Sequence, residues 1–396
     1  MLFTLIPILA TPTRRALSPR LVSKITSYSL FALLPWIPLL HPHHSPAADA
    51  PPTPKSRIAM VEDPSLRTNF DPDPAAVKDA IASLLSALTG KSNAAEAWKE
   101  LGIEPDDTVA VKVTARGNPR TGTRRQVTDA VTASLVAAGV KPDHITIYDK
   151  REVDMTKSGY PTKQESNQVQ VRAIIASAAS DVPGLGFDST VTPYFSPSMG
   201  ELIYGDLKFQ SSLIDGIPAP SSSGSASGDK IPYWSYFTKL ITPKETKIVN
   251  IGSMTSDPDL GIYGCCASLA IGSVDNSRRL LKPNADQDTT IGEILTSDPL
   301  LKPKTVLHIS DGLILQFAGG KDFDANYATT PGLLLASTDP VALDSIALAR
   351  FEKMRANPGI GVPPIPKIGN VPHIAGAALV GAGTTDPKQM EILKVK

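Results

Sequence analysis

Charged and amide side chains gather where apolar runs of this chain end. Lys112 interrupts the run Thr108–Val113, and Arg116, Asn118 and Arg124 follow it. Asp149 closes the run from Ile145, Asp311 follows the run from Thr305, and Asp339 follows the run from Gly332, with Asp344 further along. In open parallel sheets, ligands bind beyond the carboxyl ends of the strands. Basic side chains beside a helix N-terminus suit an anion. Carboxylates at neighbouring strand ends can serve as acid, base or metal ligand. The catalytic candidates are therefore Lys112, Asp149, Asp311 and Asp339, and the substrate-binding candidates are Arg116, Asn118, Arg124 and Asp344. The pattern assigns no metal.

Each candidate has a structural alternative. Asp339 is placed to cap a helix beginning at Pro340. Asp311-Gly312 has turn chemistry. Arg124 and Arg125 suit a solvated helix face, Asp344 a hydrogen-bonding role, and Lys112 a strand edge from which its amine reaches water. Familiar motifs are absent. Gly90-Lys91-Ser92 has Leu85 where a phosphate loop needs its first glycine, and a helix rather than a strand precedes it. No G-x-S-x-G elbow or H-E-x-x-H pair occurs.

The elements that would position these residues alternate. Asp73 and Pro74 open a helix with Val77, Ile81, Leu84, Leu85 and Leu88 inward, and Asn93 caps a second. Strand Thr108–Val113, helix Thr123–Ala138 and strand Ile145–Tyr148 make a βαβ unit, which requires parallel strands. Val169–Ala179 reads as a helix, Val191–Phe195 as a strand and Tyr233–Leu240 as an aromatic helix. Later strands are expected at Lys247–Ile251, Thr305–Ile309, Gly332–Ala336 and Gln389–Val395, and helices at Tyr263–Ala270, Val341–Met354 and Pro372–Val380. The fold class is α/β: a mostly parallel sheet flanked by helices, in one or two lobes.

Composition bounds the partners. With 39 basic and 39 acidic residues among 396, no global field draws the chain to nucleic acid. The two cysteines, Cys265 and Cys266, are adjacent. An iron–sulfur cluster normally takes four, so none is expected, and the cofactor is otherwise unknown. Arg14, Arg15, Arg20 and Lys24 precede the apolar stretch Ile25–Leu40, and small residues follow by Ala50. Basic, apolar, small is the order of a secretory signal. Residues 1–50 are read as a targeting segment, 51–70 as a Pro-rich linker and 71–396 as the α/β domain. Export to a periplasm or the exterior is expected, with membrane contact only through an uncleaved N-terminal segment.

Several segments resemble the domain of unknown function 362, an exported bacterial-type family. Thr108–Val113 is similar to its VxIKVN strand, with Lys112 at the lysine. Ala130–Asp149 resembles ALIxxLxxAGVxxxxIxVwD, and Asp154–Tyr160 resembles ELxxAGY. Ser310–Phe323 is similar to xDALxxQYxGGPxF, and Gly332–Asp344 (GLLLASTDPVALD) to GLLxAxxDPVALD. The pieces span roughly residues 75 to 395. One region departs. Gly272, Val274, Asn276 and Arg279 keep the frame, but the first lysine and the histidine of the family pattern are lost around Met254–Pro258. The pattern's second lysine and asparagine fall on Ala267 and Ser268. The resemblance implies no reaction. The favoured function is an enzyme acting on a small anionic molecule in a strand-end cleft; the alternative is a non-catalytic, degenerate binding protein.

Overall fold

The computed structural model describes residues 55–186, 194–196, 200–202, 208–210, 217–218, 230–231, 234–277, 280, 289–297, 300, 303–357, 359, 361 and 371–395. The targeting segment 1–50 and most of the expected strand 191–195 lie outside them; the strand Tyr194–Ser196 overlaps that expectation at its end. Among the described residues no helix is long and apolar enough to cross a membrane.

Ten strands form one mixed, mostly parallel sheet: β1 Ser56–Glu62, β2 Thr108–Val113, β3 Ile145–Arg151, β4 Gln170–Ile175, β5 Thr246–Asp257, β6 Gly261–Tyr263, β7 Thr305–Gln316, β8 Ala328–Thr329, β9 Leu333–Ser337 and β10 Met390–Val395. The main path runs β10-β1-β9-β7-β5-β2-β3-β4, with β6 on β5 and β8 on β7. Along that path only β9 is reversed, being antiparallel to both β1 and β7.

Helices cover both faces. α1 Pro74–Thr89, α2 Ala94–Glu100 and α3 Arg125–Ala137 bury Val77, Ile81, Trp98, Val131 and Leu135 with Val109, Val111 and Val113 of β2. α5 Gly264–Ser273, α6 Thr290–Leu295, α7 Pro340–Arg355 and α8 Pro372–Leu379 pack on the other face with Ala110. The short helix α4, Glu152–Lys157, follows β3. Alternate residues of a strand face opposite ways, so β2 must be apolar on both sides, and Lys112 shares the α5 side with Ala110. The cap read at the start of α1 is present: Asp73 Oδ1 accepts from the Ala75 and Ala76 amides, and Gly90 ends the helix at φ 72°.

Four expectations are corrected. Residues 51–70 are not all linker, because Ser56–Glu62 pairs with β9 and β10; Ile58 and Met60 fill one core and Ala59 and Val61 the other, an alternation that only a two-faced strand can bury. The segment read as a helix from Val169 is strand β4, whose Val171 and Ala173 face one layer and Ile174 the other. Trp234–Tyr236 is a strand rather than part of an aromatic helix, as aromatic side chains favour. β7 runs on to Gln316 rather than ending at Ile309, while Asp311 keeps the expected turn-type contact, accepting from the Leu313 amide where β7 slips register against β5.

Candidate functional site

Lys112 is fully buried beneath α5. Its Nζ donates to Asp149 Oδ1 at 2.8 Å, to the Val113 carbonyl at 2.6 Å and to Ser268 Oγ at 3.3 Å. Gly272 makes this possible: a Cβ there would stand 2.1 Å from Lys112 Cε. Burial pushes the lysine pKa down, and the Asp149 charge and hydrogen bond partly restore it. Asp149 is 8% exposed and Lys112 not at all, so Asp149 is the outer member of the pair. Its oxygens also accept from the Ala115 amide at 2.7 Å and the Lys150 amide at 2.8 Å. An amine held in low dielectric against a carboxylate can relay a proton.

Beside this pair, Arg116 donates to Asp257 Oδ2 at 2.9 Å and lies 4.6 Å from the centroid of the Tyr263 ring. Asp257 further accepts from the Asp259 and Leu260 amides. Tyr263 is held protonated by burial and by the neighbouring Asp149 charge, against the opposing effect of Arg116. His373, at the start of α8, feels Asp257 too. Its ring is fully buried and neither nitrogen has a hydrogen-bond partner, a rare condition for a native core. Burial lowers its pKa to about 4, so it is neutral at pH 7. Asn118 is partly exposed, and its Oδ1 accepts from the Arg120 amide, which ties down the loop.

Arg124 and Asp311 form a separate pair on the α3 side of the sheet. The Arg124 amide donates to Asp311 Oδ2 at 2.8 Å, and its guanidinium lies 3.6 Å from the same oxygen. The guanidinium also donates to the carbonyls of Gly122, Arg120 and Ile314. Both side chains are closed from solvent. On the Lys112 side, hydroxyls lead from its amine to the Ile251 carbonyl. Ser268 Oγ lies 2.7 Å from Thr114 Oγ1, and Thr123 Oγ1 accepts from the Thr114 amide and donates to the Ile251 carbonyl.

Asp339 is elsewhere. Because β9 runs against its neighbours, its end points away from the carboxyl ends of β2, β3 and β5. Asp339 caps α7 through the Ala342 amide at 2.9 Å; its Oδ2 accepts from Ser56 Oγ at 2.6 Å and the Thr384 amide at 3.0 Å. Asp344 reaches from α7 to the first turn of α5, accepting from the Cys265 and Cys266 amides at 2.6 and 2.8 Å. Burial raises its pKa to about 6, with Asp339 adding to the shift. Gly264 (φ 47°) must be glycine here, since a Cβ would stand 2.3 Å from Asp344 Oδ1.

The eight sequence candidates thus divide. Lys112, Asp149, Arg116 and Asn118 belong to the carboxyl ends of β2 and β3. Arg124 and Asp311 sit across the sheet, Asp344 under α5, and Asp339 at the opposite end. Sequence reasoning missed Asp257, Tyr263, Ser268 and His373. Their only linear signals are a carboxylate closing a long strand and a histidine beside a helix-opening proline. Among the described residues no group of three or more His, Cys, Asp or Glu is placed to hold a metal ion.

Cavities of about 440, 400 and 270 Å3 open at the surface. The first is bordered by Glu152, whose carboxylate accepts from Thr162, Ser177 and Ser180. The second lies by Arg125 and Lys163, the third by His308 and Asp339. None of the three is lined by Lys112, Arg116, Asp149 or Asp311. Compared with models of protein families, with curated proteins and with solved structures, the chain matches none.

Proposed function

We propose that this chain is an enzyme that moves a proton on a small anionic molecule at the carboxyl ends of β2, β3 and β5. One observation carries the reading: a fully buried Lys112 is held 2.8 Å from Asp149, whose side chain keeps 11% of its surface exposed. Asp149 meets the substrate and Lys112 stores or returns the proton behind it. Asn118, partly exposed, and beside it Lys150 and the Asp257-paired Arg116 supply the amide and basic groups of this end. The same reading makes the chain a divergent, exported member of the domain of unknown function 362. In its support, Ser268, where the family pattern has asparagine, touches Lys112.

The second reading is a non-catalytic binding protein. It is favoured by the internal pairing of Arg116 with Asp257 and Arg124 with Asp311, which leaves these cations already neutralised. Incubation with a mixture of small carboxylic acids and phosphate esters, followed by mass spectrometry, separates the two. Consumption of one component by the wild type, lost in a folded Lys112→Met variant, supports the enzyme. A component retained on the protein and consumed by neither overturns it in favour of binding.

A further inference from the structure

A strap of chain, residues 235–238, lies against the end of α5. The Thr238 amide donates to the Ser273 carbonyl at 3.1 Å, and the Asp275 amide to the Tyr236 carbonyl at 3.0 Å. Ser235 Oγ donates to the Asn276 carbonyl at 2.7 Å, and Phe237 pairs with Val274. The same end of α5 borders the Lys112 pair. Gly272 roofs the lysine, and Ser273 Oγ lies 3.3 Å from the Tyr148 hydroxyl.

Asp275, 2% exposed, sits in the middle of this seam. Its Oδ1 accepts from the Tyr236 amide at 2.7 Å and the Asn276 amide at 2.5 Å. Its Oδ2 is buried and has no hydrogen-bond partner among the described residues. Lys150 does not cover that oxygen. Its Nζ donates to the Asp275 carbonyl and to Ser277 Oγ, both at 2.7 Å. Tyr236 faces the carboxyl from the strap, and Asp149, Arg151 and Lys112 surround Lys150 from behind. A buried carboxyl with a donorless oxygen is costly when charged and far less so when neutral. Burial accordingly pushes Asp275 up to about 7, against the two amides and Lys150. Burial also brings Lys150 down to about 8, so it stays charged below pH 7.

We propose that Asp275 is a proton-operated latch: protonated, it keeps the strap closed on the end of α5, and when its proton passes to solvent the strap opens and admits water beside the roof of the Lys112–Asp149 pair. The regulatory meaning rests on the proton-transfer reading, whereas the opening itself does not. The direction follows from linkage. The closed form holds its proton up to about pH 7 and the open form only to the ordinary 3.8. Opening therefore grows as pH rises between those values and levels off above 7.

Hydrogen exchange of the Tyr236 amide in the full chain, corrected for the intrinsic rate, tests this between pH 5 and 9. The Val111 amide of β2 serves as the reference for opening of the whole molecule. Relative to Val111, Tyr236 protection should fall by at least about tenfold from pH 5 to 7, and by no more than roughly threefold from 7 to 9. Asp275→Asn keeps an acceptor for the Tyr236 amide but cannot titrate, so its ratio should be flat. Lys150→Gln removes the cation that favours the charged carboxyl, so the levelling-off should move above pH 7. Tyr236 following Val111 at every pH, a slope that survives Asp275→Asn, or a levelling-off unmoved in Lys150→Gln would each overturn the latch. None of these readouts involves turnover, so the latch and the proton-transfer reading can fail separately.

Discussion

The two ends of the central strands treat buried charge in opposite ways. At the carboxyl ends, Asp149, Asp257 and Asp311 each face a lysine or arginine nitrogen within 3.6 Å. At the other end, Asp339 is buried nearly as deeply and has only backbone and hydroxyl donors. Donors alone suffice to hold a carboxylate at a helix N-terminus, where the helix dipole also helps. Asp344, beneath the start of α5, also lacks a cation, and its pKa is raised chiefly by burial, with the Asp339 charge adding to it. A closed ion pair is a poor ligand trap, because its partners already satisfy each other.

The largest effect should come from breaking the most enclosed pair. Arg124→Met strands Asp311, which has no exposure, and should cost about 3–5 kcal/mol in urea unfolding. The double variant Arg124→Met/Asp311→Leu should recover much of that loss, because two apolar side chains leave no orphan charge. If the single variant unfolds like the wild type, the pair contributes nothing and the contrast between the ends fails.

His373 sharpens the comparison from within the carboxyl-end cluster. Its folded pKa of about 4 lies below the ordinary 6.5, so the folded state resists a proton that the unfolded chain accepts. Its contribution is intact above pH 6.5 and is lost as pH falls toward 4. Across that window His373→Leu should gain about 3 kcal/mol relative to wild type, by the usual 1.36 kcal/mol per pKa unit. Asp344 has the opposite sign: with its pKa raised to about 6, it favours folding as pH falls from 6 toward its unfolded value of 3.8. The difference between wild type and variant isolates the histidine, because Asp344 is common to both. A difference that does not change with pH would show that His373 is protonated or solvated in the fold.

How far these features could be read in advance depends on how local their causes are. The Asp73-Pro74 helix start and the apolar strand Thr108–Val113 were legible, because capping and alternation act within a few residues. Lys112 and Asp149 were legible as strand-end polar residues, and parallel pairing of β2 with β3 brought them together. Asp339 looked equivalent, but the reversal of β9 sent it to the other end, and no residue of the run Gly332–Ala336 encodes strand direction. Asp257 and His373 were silent because their environment is assembled from segments more than 100 residues apart. β1 was hidden by its Pro-rich surroundings, although Ile58–Val61 carries a buried strand pattern.

Lys112→Met tests whether the proton-transfer pair is a milder version of the Arg124–Asp311 pair. Asp149 keeps its two amide donors and touches water, so the charge left behind is partly solvated. The loss should be about 1–3 kcal/mol, the cost of an under-satisfied polar group rather than of a sealed ion. A penalty as large as that of Arg124→Met would mean that Asp149 is cut off from solvent, which would also remove it from contact with any substrate.

The smallest change in stability should come from Asp339→Asn, and its smallness is the informative part. Asn retains the acceptor for the Ala342 amide and can still meet Ser56 Oγ. It loses the acceptor for the Thr384 amide, worth about 1 kcal/mol. Removing an uncompensated buried charge offsets that loss, so the net change should stay within about 1 kcal/mol by urea unfolding. The clearer readout is Asp344. With its neighbouring charge gone, its pKa should fall slightly from about 6, since burial, the larger cause of the shift, remains; a carbon-13 NMR titration would read it. An unmoved Asp344 would show that the two carboxylates do not share a field.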